Sequence, residues 1–173
     1  MNLKNQVREV PNWPISGVNF KDITPILQSP PAFRYLINKL CLPYKKIKVD
    51  KVIAIDARGF LIATPMAYLL RAGVCLVRKK GKLPRATIET TYQKEYGPDI
   101  LAMHRDSVQS GEKVVIVDDV LATGGTLSAA ANLVSKLGGQ IIGISVIIDL
   151  PFLGGRKLLN QYSVHSLISY ENG

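Results

Sequence analysis

The sequence predicts an α/β fold, a Rossmann-like, mostly parallel central sheet flanked by helices. Two observations predict it. Apolar, β-branched runs such as KVIAID (51–56) and KVVIVD (113–118) read as strands buried on both faces, which is how parallel strands are patterned. These runs alternate with longer helical stretches, the signature of strand–helix–strand units. At 173 residues, 47% hydrophobic and 20% charged, the chain reads as one ordinary globular domain. A domain of that size buries roughly two-thirds of its unfolded surface.

Taken in order, residues 5–27 are irregular, with Trp13 set between Pro11 and Pro14, then Gly17, Phe20 and Pro25. A long irregular stretch in a compact domain is more often functional than idle. Residues 51–56 form a strand, 60–70 a helix and 74–78 the next strand. Residues 79–98 are polar, basic and turn-rich, with Gly81, Pro84, Gly97 and Pro98, and read as a long excursion from the core. Strands are expected at 100–104 and 113–118. A helix over 125–137 is ended by Gly138-Gly139. Residues 140–148 return as a strand, and 164–169 close the sheet's edge.

Composition excludes several classes. The opening MNLKNQVREVPNWP has no apolar h-region, so no secretory signal is expected. No apolar run approaches the ~18 residues of a membrane span. Cys41 and Cys75 match no metal or redox spacing and read as reduced core residues, which suits a cytoplasmic location. His104 and His165 are too few and too far apart for a His-rich metal site. The net charge is +9 from 22 basic and 13 acidic residues, which suits a phosphorylated substrate, nucleic acid or simply a soluble surface. Its position narrows the choice. Arg71, Arg78, Lys79, Lys80, Lys82, Arg85 and Lys94 face one acid, Glu89, between residues 71 and 94. Lys45, Lys46, Lys48 and Lys51, balanced by Asp50, read as a solvated helix-to-strand connection.

The stretch that carries chemistry is VVIVDDVLATGGT (114–126). A parallel strand that ends in a glycine turn before a helix gathers free backbone N–H groups and the helix dipole at one point, which makes an anion site. Thr123 and Thr126 add hydroxyl donors, and Gly124 and Gly125 let the backbone approach closely. The Gly-Lys-Ser/Thr of a P-loop is absent, as is G-x-G-x-x-G. The phosphate held here is therefore not a transferring γ-phosphate. Asp118 and Asp119 are acceptors only, suited to a ribose diol or a magnesium ion. A diol beside a monophosphate site describes a ribose 5-phosphate. Asp119 taken alone reads equally well as a turn or helix cap.

An apolar strand, two acids and then A-T-G-G-T resembles the phosphoribosyl pyrophosphate motif of the type I phosphoribosyltransferase family. Collinear stretches are similar to its adenine-accepting branch: PNWPISGVNFKDITPIL (11–27), IDARGF (55–60), VRKKGKLP (77–84), TIETTYQKEYG (87–97) and LPFLGGRKLL (150–159). The resemblance implies the type I phosphoribosyltransferase fold over 1–173, with an N-terminal hood (1–30) and a mobile catalytic lid (79–98). It implies that Ala122, Thr123, Gly124, Gly125 and Thr126 hold the 5-phosphate, and that Asp118 and Asp119 hold the ribose hydroxyls. Asp56, Ala57, Arg58 and Gly59 resemble the pyrophosphate loop, which the family often builds with a non-proline cis peptide. Arg78, Lys79 and Lys82 would neutralise the pyrophosphate, in their own or a partner subunit's site. Val18, Phe20, Lys21 and Leu150 match the residues around adenine. Glu95 and Tyr96 match the active part of the lid.

The same resemblance implies adenine and phosphoribosyl pyrophosphate as substrates, AMP and pyrophosphate as products, and a homodimer. It implies neither nucleic acid nor a membrane as partner. Magnesium would be held mainly by the substrate, with Asp118 as the protein carboxylate in reach. Loss of pyrophosphate builds oxocarbenium character on the ribose. The leaving charge must then be neutralised, by Arg58 and the basic cluster, and water kept out by the lid. Glu95 is the acid/base candidate for the base's ring nitrogens, although an exposed lid glutamate also serves as a solvated charge. Phe20 reads as a purine-stacking surface or as a core aromatic, and Arg58 as a ligand contact or as a helix cap.

Leu61-Ile62-Ala63 and Asp149 depart from the family, which commonly ends the first run in glycine and carries glutamate before the C-terminal leucine. Two alternatives stand beside this reading. One is the same fold with an oxopurine, whose O6 needs a donor such as Lys21. The other is a non-catalytic regulator that keeps the donor site and binds nucleic acid.

Overall fold

The computed structural model describes residues 1–94 and 97–172. The N-terminal segment is not wholly irregular. Arg8–Pro11 (β1) pairs antiparallel with Asn19–Asp22 (β2), in a two-stranded ribbon separate from the main sheet. Asp22 ends the ribbon by accepting from the Thr24 backbone N–H at 2.9 Å and its hydroxyl at 2.7 Å. This local bonding starts Thr24–Gln28 (α1). Pro30–Cys41 (α2) follows, its fixed-φ Pro30 at the first helical position, and the chain alternation gives no warning of it.

From residue 51 the expected alternation appears: Lys51–Ile55 (β3), Arg58–Leu70 (α3), Gly73–Lys79 (β4), Thr87–Lys94 (β5), Gly97–His104 (β6), Lys113–Leu121 (β7), Gly125–Lys136 (α4), Gln140–Asp149 (β8) and Val164–Ser169 (β9). These strands make a seven-stranded sheet in the order β5-β6-β4-β3-β7-β8-β9. The five from β4 to β9 run parallel, while β6 pairs antiparallel with β4 and with β5. The supposed excursion therefore contains a β-hairpin that extends the sheet's edge. The alternation Ile88, Thr90, Tyr92 is a half-buried strand pattern, outweighed in a sequence reading by the flanking glycines, prolines and lysines.

Both faces of the sheet are covered. Val52, Ala54, Val115 and Val117 face a core shared with α2 and α3, including Leu36, Leu40, Ile62 and Met66. Ile53, Ile55, Val114 and Ile116 face a second core with Leu127, Ala130, Leu133 and Val134 of α4. The alternation within β3 and β7 is thus apolar on both sides, and that is why they read as unbroken hydrophobic runs.

Topology positions the site. β3 hands the chain through α3 to β4 on one side, and β7 hands it through α4 to β8 on the other. Neighbours β3 and β7 thus diverge at their carboxyl ends and leave a crevice where ligands of open α/β sheets bind.

Candidate active site

The crevice is a cavity of about 400 Å³ lined by Ile55, Asp56, Ala57, Arg58, Lys79, Tyr92, Leu101, Asp118, Asp119 and Thr126. Its two walls are the loops that follow β3 and β7. The Asp56–Ala57 peptide is cis, as the resemblance implies. Gly59 lets α3 begin against β7, since a Cβ there would meet the Val117 carbonyl at 3.0 Å and Asp118 Oδ1 at 3.3 Å. Ala63, where the family commonly has glycine, is wholly buried in the core beneath α3.

A second, smaller hollow of about 70 Å³ adjoins the first through Asp118 and Thr126, and Ala122, Thr123, Gly124 and Gly125 complete it. It lies at the N-terminus of α4, where unpaired N–H groups favour an anion. Gly124 takes φ +82, a conformation open to glycine and costly for other residues. The turn rests on Gly155, whose carbonyl would lie 2.5 Å from a Cβ on Gly124. Gly155 thus backs the glycine turn at the start of α4. Its only sequence signal is the bare Gly-Gly in LPFLGGRKLL, which carries no motif of its own.

Charges in the crevice are paired. Arg58 donates through Nε to Asp119 Oδ2, crossing from the β3 wall to the β7 wall. Arg78 donates through Nε to Asp56 at 2.8 Å and through a terminal nitrogen to the Lys82 carbonyl at 3.1 Å. Lys79 lies 3.1 Å from Asp99. Asp118 accepts the Asp119 backbone N–H at 2.9 Å. Burial, and then the neighbouring Asp119 carboxylate, push the Asp118 carboxyl well above the usual carboxylate range.

The crevice thus gathers Asp56, Ala57, Arg58, Lys79, Asp118, Asp119 and Thr126, all named from sequence. Tyr92, Leu101 and Ile55 line it without having been singled out. Arg78 reaches it only through Asp56, and Lys82 is exposed and outside the lining. Glu95 and Tyr96 lie outside the described residues.

Val18, Phe20, Lys21 and Leu150 do not line the cavity either. Phe20 nonetheless lies 5.1 Å from the Arg58 guanidinium and meets Trp13 edge-on at 4.5 Å. Leu150 donates its N–H to the carbonyl of Leu121, the last residue of β7, at 2.9 Å. Lys21 is buried, with its ammonium 3.1 Å from Glu9 and 4.4 Å from the Tyr170 ring. Glu9 and Tyr170 therefore already engage the ammonium that the oxopurine alternative names as its donor. Asp149, the departure beside Leu150, is buried and holds Arg156 Nε at 2.6 Å.

Among the described residues no group of three or more His, Cys, Asp or Glu is placed to hold a metal. No helix among them is long and apolar enough to cross a membrane.

Residues 23–171 match the family model described as phosphoribosyl transferase domain. Adenine phosphoribosyltransferase of Desulfosudis oleivorans is 47% identical over 171 residues, covering 99% of each chain. That of Clostridium botulinum (strain Hall) is 48% identical over 170 residues, covering 98% of this chain and 99% of its own. The crystal structure of the Thermoanaerobacter pseudethanolicus enzyme superposes with a TM-score of 0.94 at 48% identity, over 97% of this chain and 98% of that one. The Saccharomyces cerevisiae enzyme, complexed with D-2,5-dideoxy-2,5-imino-altritol 1,6-bisphosphate and adenine, gives 0.91 at 37% identity over 95% and 96%. Crevice, glycine turn and likeness along the whole chain agree: the chain belongs to the adenine phosphoribosyltransferase family of type I phosphoribosyltransferases.

Proposed function

We propose that the protein transfers the 5-phosphoribosyl group of phosphoribosyl pyrophosphate to adenine, giving AMP and pyrophosphate. The observation that carries this reading is the pairing of the two hollows, one of a size and polarity for a phosphate and one flanked by carboxylates and cations. In it, backbone N–H groups and hydroxyls of residues 122–126 hold the 5-phosphate as a handle, and Asp118 and Asp119 take the ribose hydroxyls. Asp56, Ala57, Arg58 and Gly59 cradle the pyrophosphate, with Lys79 and Arg78 adding positive charge. Lys82 joins them if residues 79–98 close as a lid. Arg58 must leave Asp119 when the donor enters, and the incoming anion replaces that carboxylate as its partner. The basic charge then favours the departing pyrophosphate over the intact donor.

Adenine binds beneath the ribbon, against Phe20 and Leu150 and the backbone of Val18 and Lys21, with Glu95 and Tyr96 completing the site from the lid. Magnesium fits this donor set. Hard carboxylate oxygens at the crevice, too few for a cage, suit an ion shared with substrate phosphates, and Asp118 is the residue to hold it. When bound, it neutralises phosphate charge.

The same reading includes a homodimer. It is supported by Leu61, Tyr68 and Leu69 of α3 and Val74 and Leu76 of β4, which are exposed although apolar. A cytoplasmic location is supported by the two free thiols, Cys41 and Cys75. The test is turnover: purified protein with phosphoribosyl pyrophosphate, magnesium and a panel of bases, scored for pyrophosphate and nucleotide. AMP from adenine is expected. Activity on hypoxanthine with none on adenine would sink the reading.

A further inference from the structure

The hairpin's edge strand is docked along one side of α4, and the docking follows a ladder. Lys136 Nζ donates to the Glu89 carbonyl at 3.2 Å, and the Thr90 hydroxyl donates to Asn132 Oδ1 at 3.2 Å. Tyr92 borders a hollow with Ser128 and Gly125. On the helix these rungs fall at 136, 132 and 128, one face at four-residue steps of about 6 Å. On the strand they fall at 89–90 and 92, and two strand residues advance about 6.7 Å. Helix numbers fall as strand numbers rise, so helix and strand run antiparallel, tied by two hydrogen bonds and a shared hollow. Ile88 and Tyr92 press on the same core as Leu127 and Leu133 of α4, which gives the ladder an apolar side rail.

The ladder ends at the N-terminus of α4, where Thr126 and the phosphate turn stand. Tyr92 lines the main cavity there together with Thr126 and Asp118. We propose that Lys136 and Asn132 are positioning residues for donor binding: they set the register of the hairpin on α4 and thereby place Tyr92 as a wall over the ribose 5-phosphate. Asn132 and Lys136 are not among the residues that line the crevice. They act through β5. A slip of the hairpin by one residue would turn Tyr92 to the opposite face of the strand. The proposal rests on the donor assignment above.

The test compares wild type with Asn132→Leu, Lys136→Ala and Thr90→Val for pyrophosphate release and for donor-induced protection of the hairpin from trypsin. Each variant is expected to raise donor KM about fivefold, the weight of one hydrogen bond, with adenine KM unchanged. Asn132→Asp, which keeps an acceptor oxygen for Thr90, should restore the wild-type value. Thr90→Val combined with Asn132→Leu should be no worse than either alone. Tyr92→Ala should raise donor KM. Donor KM and tryptic protection both within twofold of wild type in folded Asn132→Leu and Lys136→Ala would overturn the ladder. A wild type that releases no pyrophosphate with any base fails the functional reading instead, while the protection assay still decides the ladder. If Asn132→Leu does not fold, Thr90→Val on the half-buried edge strand carries the same comparison.

Discussion

Arg58 and Asp119 come from different strand–helix units and meet across the seam between β3 and β7. Their bond holds the two walls of the crevice together, and the proposed donor would have to break it. Arg58→Ala should therefore lower kcat/KM by about 10²–10³, the loss that follows removal of one group aimed at developing charge. Arg58→Lys keeps the charge and loses the planar fork, so it should recover only part of that loss. Steady-state pyrophosphate release decides; a full recovery by lysine would remove the fork from the explanation.

Asp118 supplies a pH prediction. Its carboxyl is pushed up, first by burial and then by Asp119. A raised carboxyl binds its proton more tightly folded than unfolded, so stability falls as pH rises from the ordinary value of about 3.9 through the folded value. Asp118→Asn should raise the thermal midpoint at neutral pH and flatten that fall. The same variant should weaken donor binding, because it offers the ribose one acceptor oxygen instead of two. Melting curves across pH, beside donor titrations, test both halves; an unchanged pH profile would refute the first.

Gly155 gives a packing prediction. A Cβ there would stand 2.8 Å from the Gly124 nitrogen and closer still to the Ala122 carbonyl. Gly155→Ala should displace the phosphate turn, cost about 1–3 kcal/mol in overpacking and raise donor KM while sparing adenine KM. A variant of native stability and native donor KM would show that the backing contact is dispensable.

The ribbon is tied down at Tyr170, whose buried ring lies 4.4 Å from both Lys4 and Lys21. Tyr170→Phe should be neutral, because the ring face survives. Tyr170→Ala should release Lys21 and raise adenine KM about tenfold, given about 1–2 kcal/mol for a desolvated cation–π contact. Equal effects of Phe and Ala would move the explanation to the hydroxyl.

Association is tested on the exposed apolar residues of α3 and β4. Tyr68→Glu together with Leu76→Glu places charge on an exposed apolar surface and should yield monomers in sedimentation velocity. Dimers that persist would locate the contact elsewhere.

The parallel core was legible because β3 and β7 are apolar on both faces, and the phosphate turn because Gly124 and Gly125 follow two acids at a strand end. Strand ends were harder. β7 runs on through Asp118 and Asp119 to Leu121, since its ladder with β8 continues past the acids. The hairpin was hidden because Glu89 and Lys94 read as loop residues, whereas backbone pairing to β6 overrides local polarity. Tyr92 and Gly155 carried no motif of their own, because their places depend on elements distant in the chain. Lys21 shows the same limit: nothing local says that its partners are Glu9 and Tyr170.

The β1–β2 ribbon shares no strand pairing with the seven-stranded sheet, and the matched family model begins at residue 23, just after it. The relatives' likeness runs through it all the same. The ribbon is thus set apart in pairing from the sheet, and touches the rest of the chain at Tyr170 and, through Phe20, at Arg58. On the proposed assignment, residues 8–22 are the part of the chain whose exchange should alter the choice of acceptor.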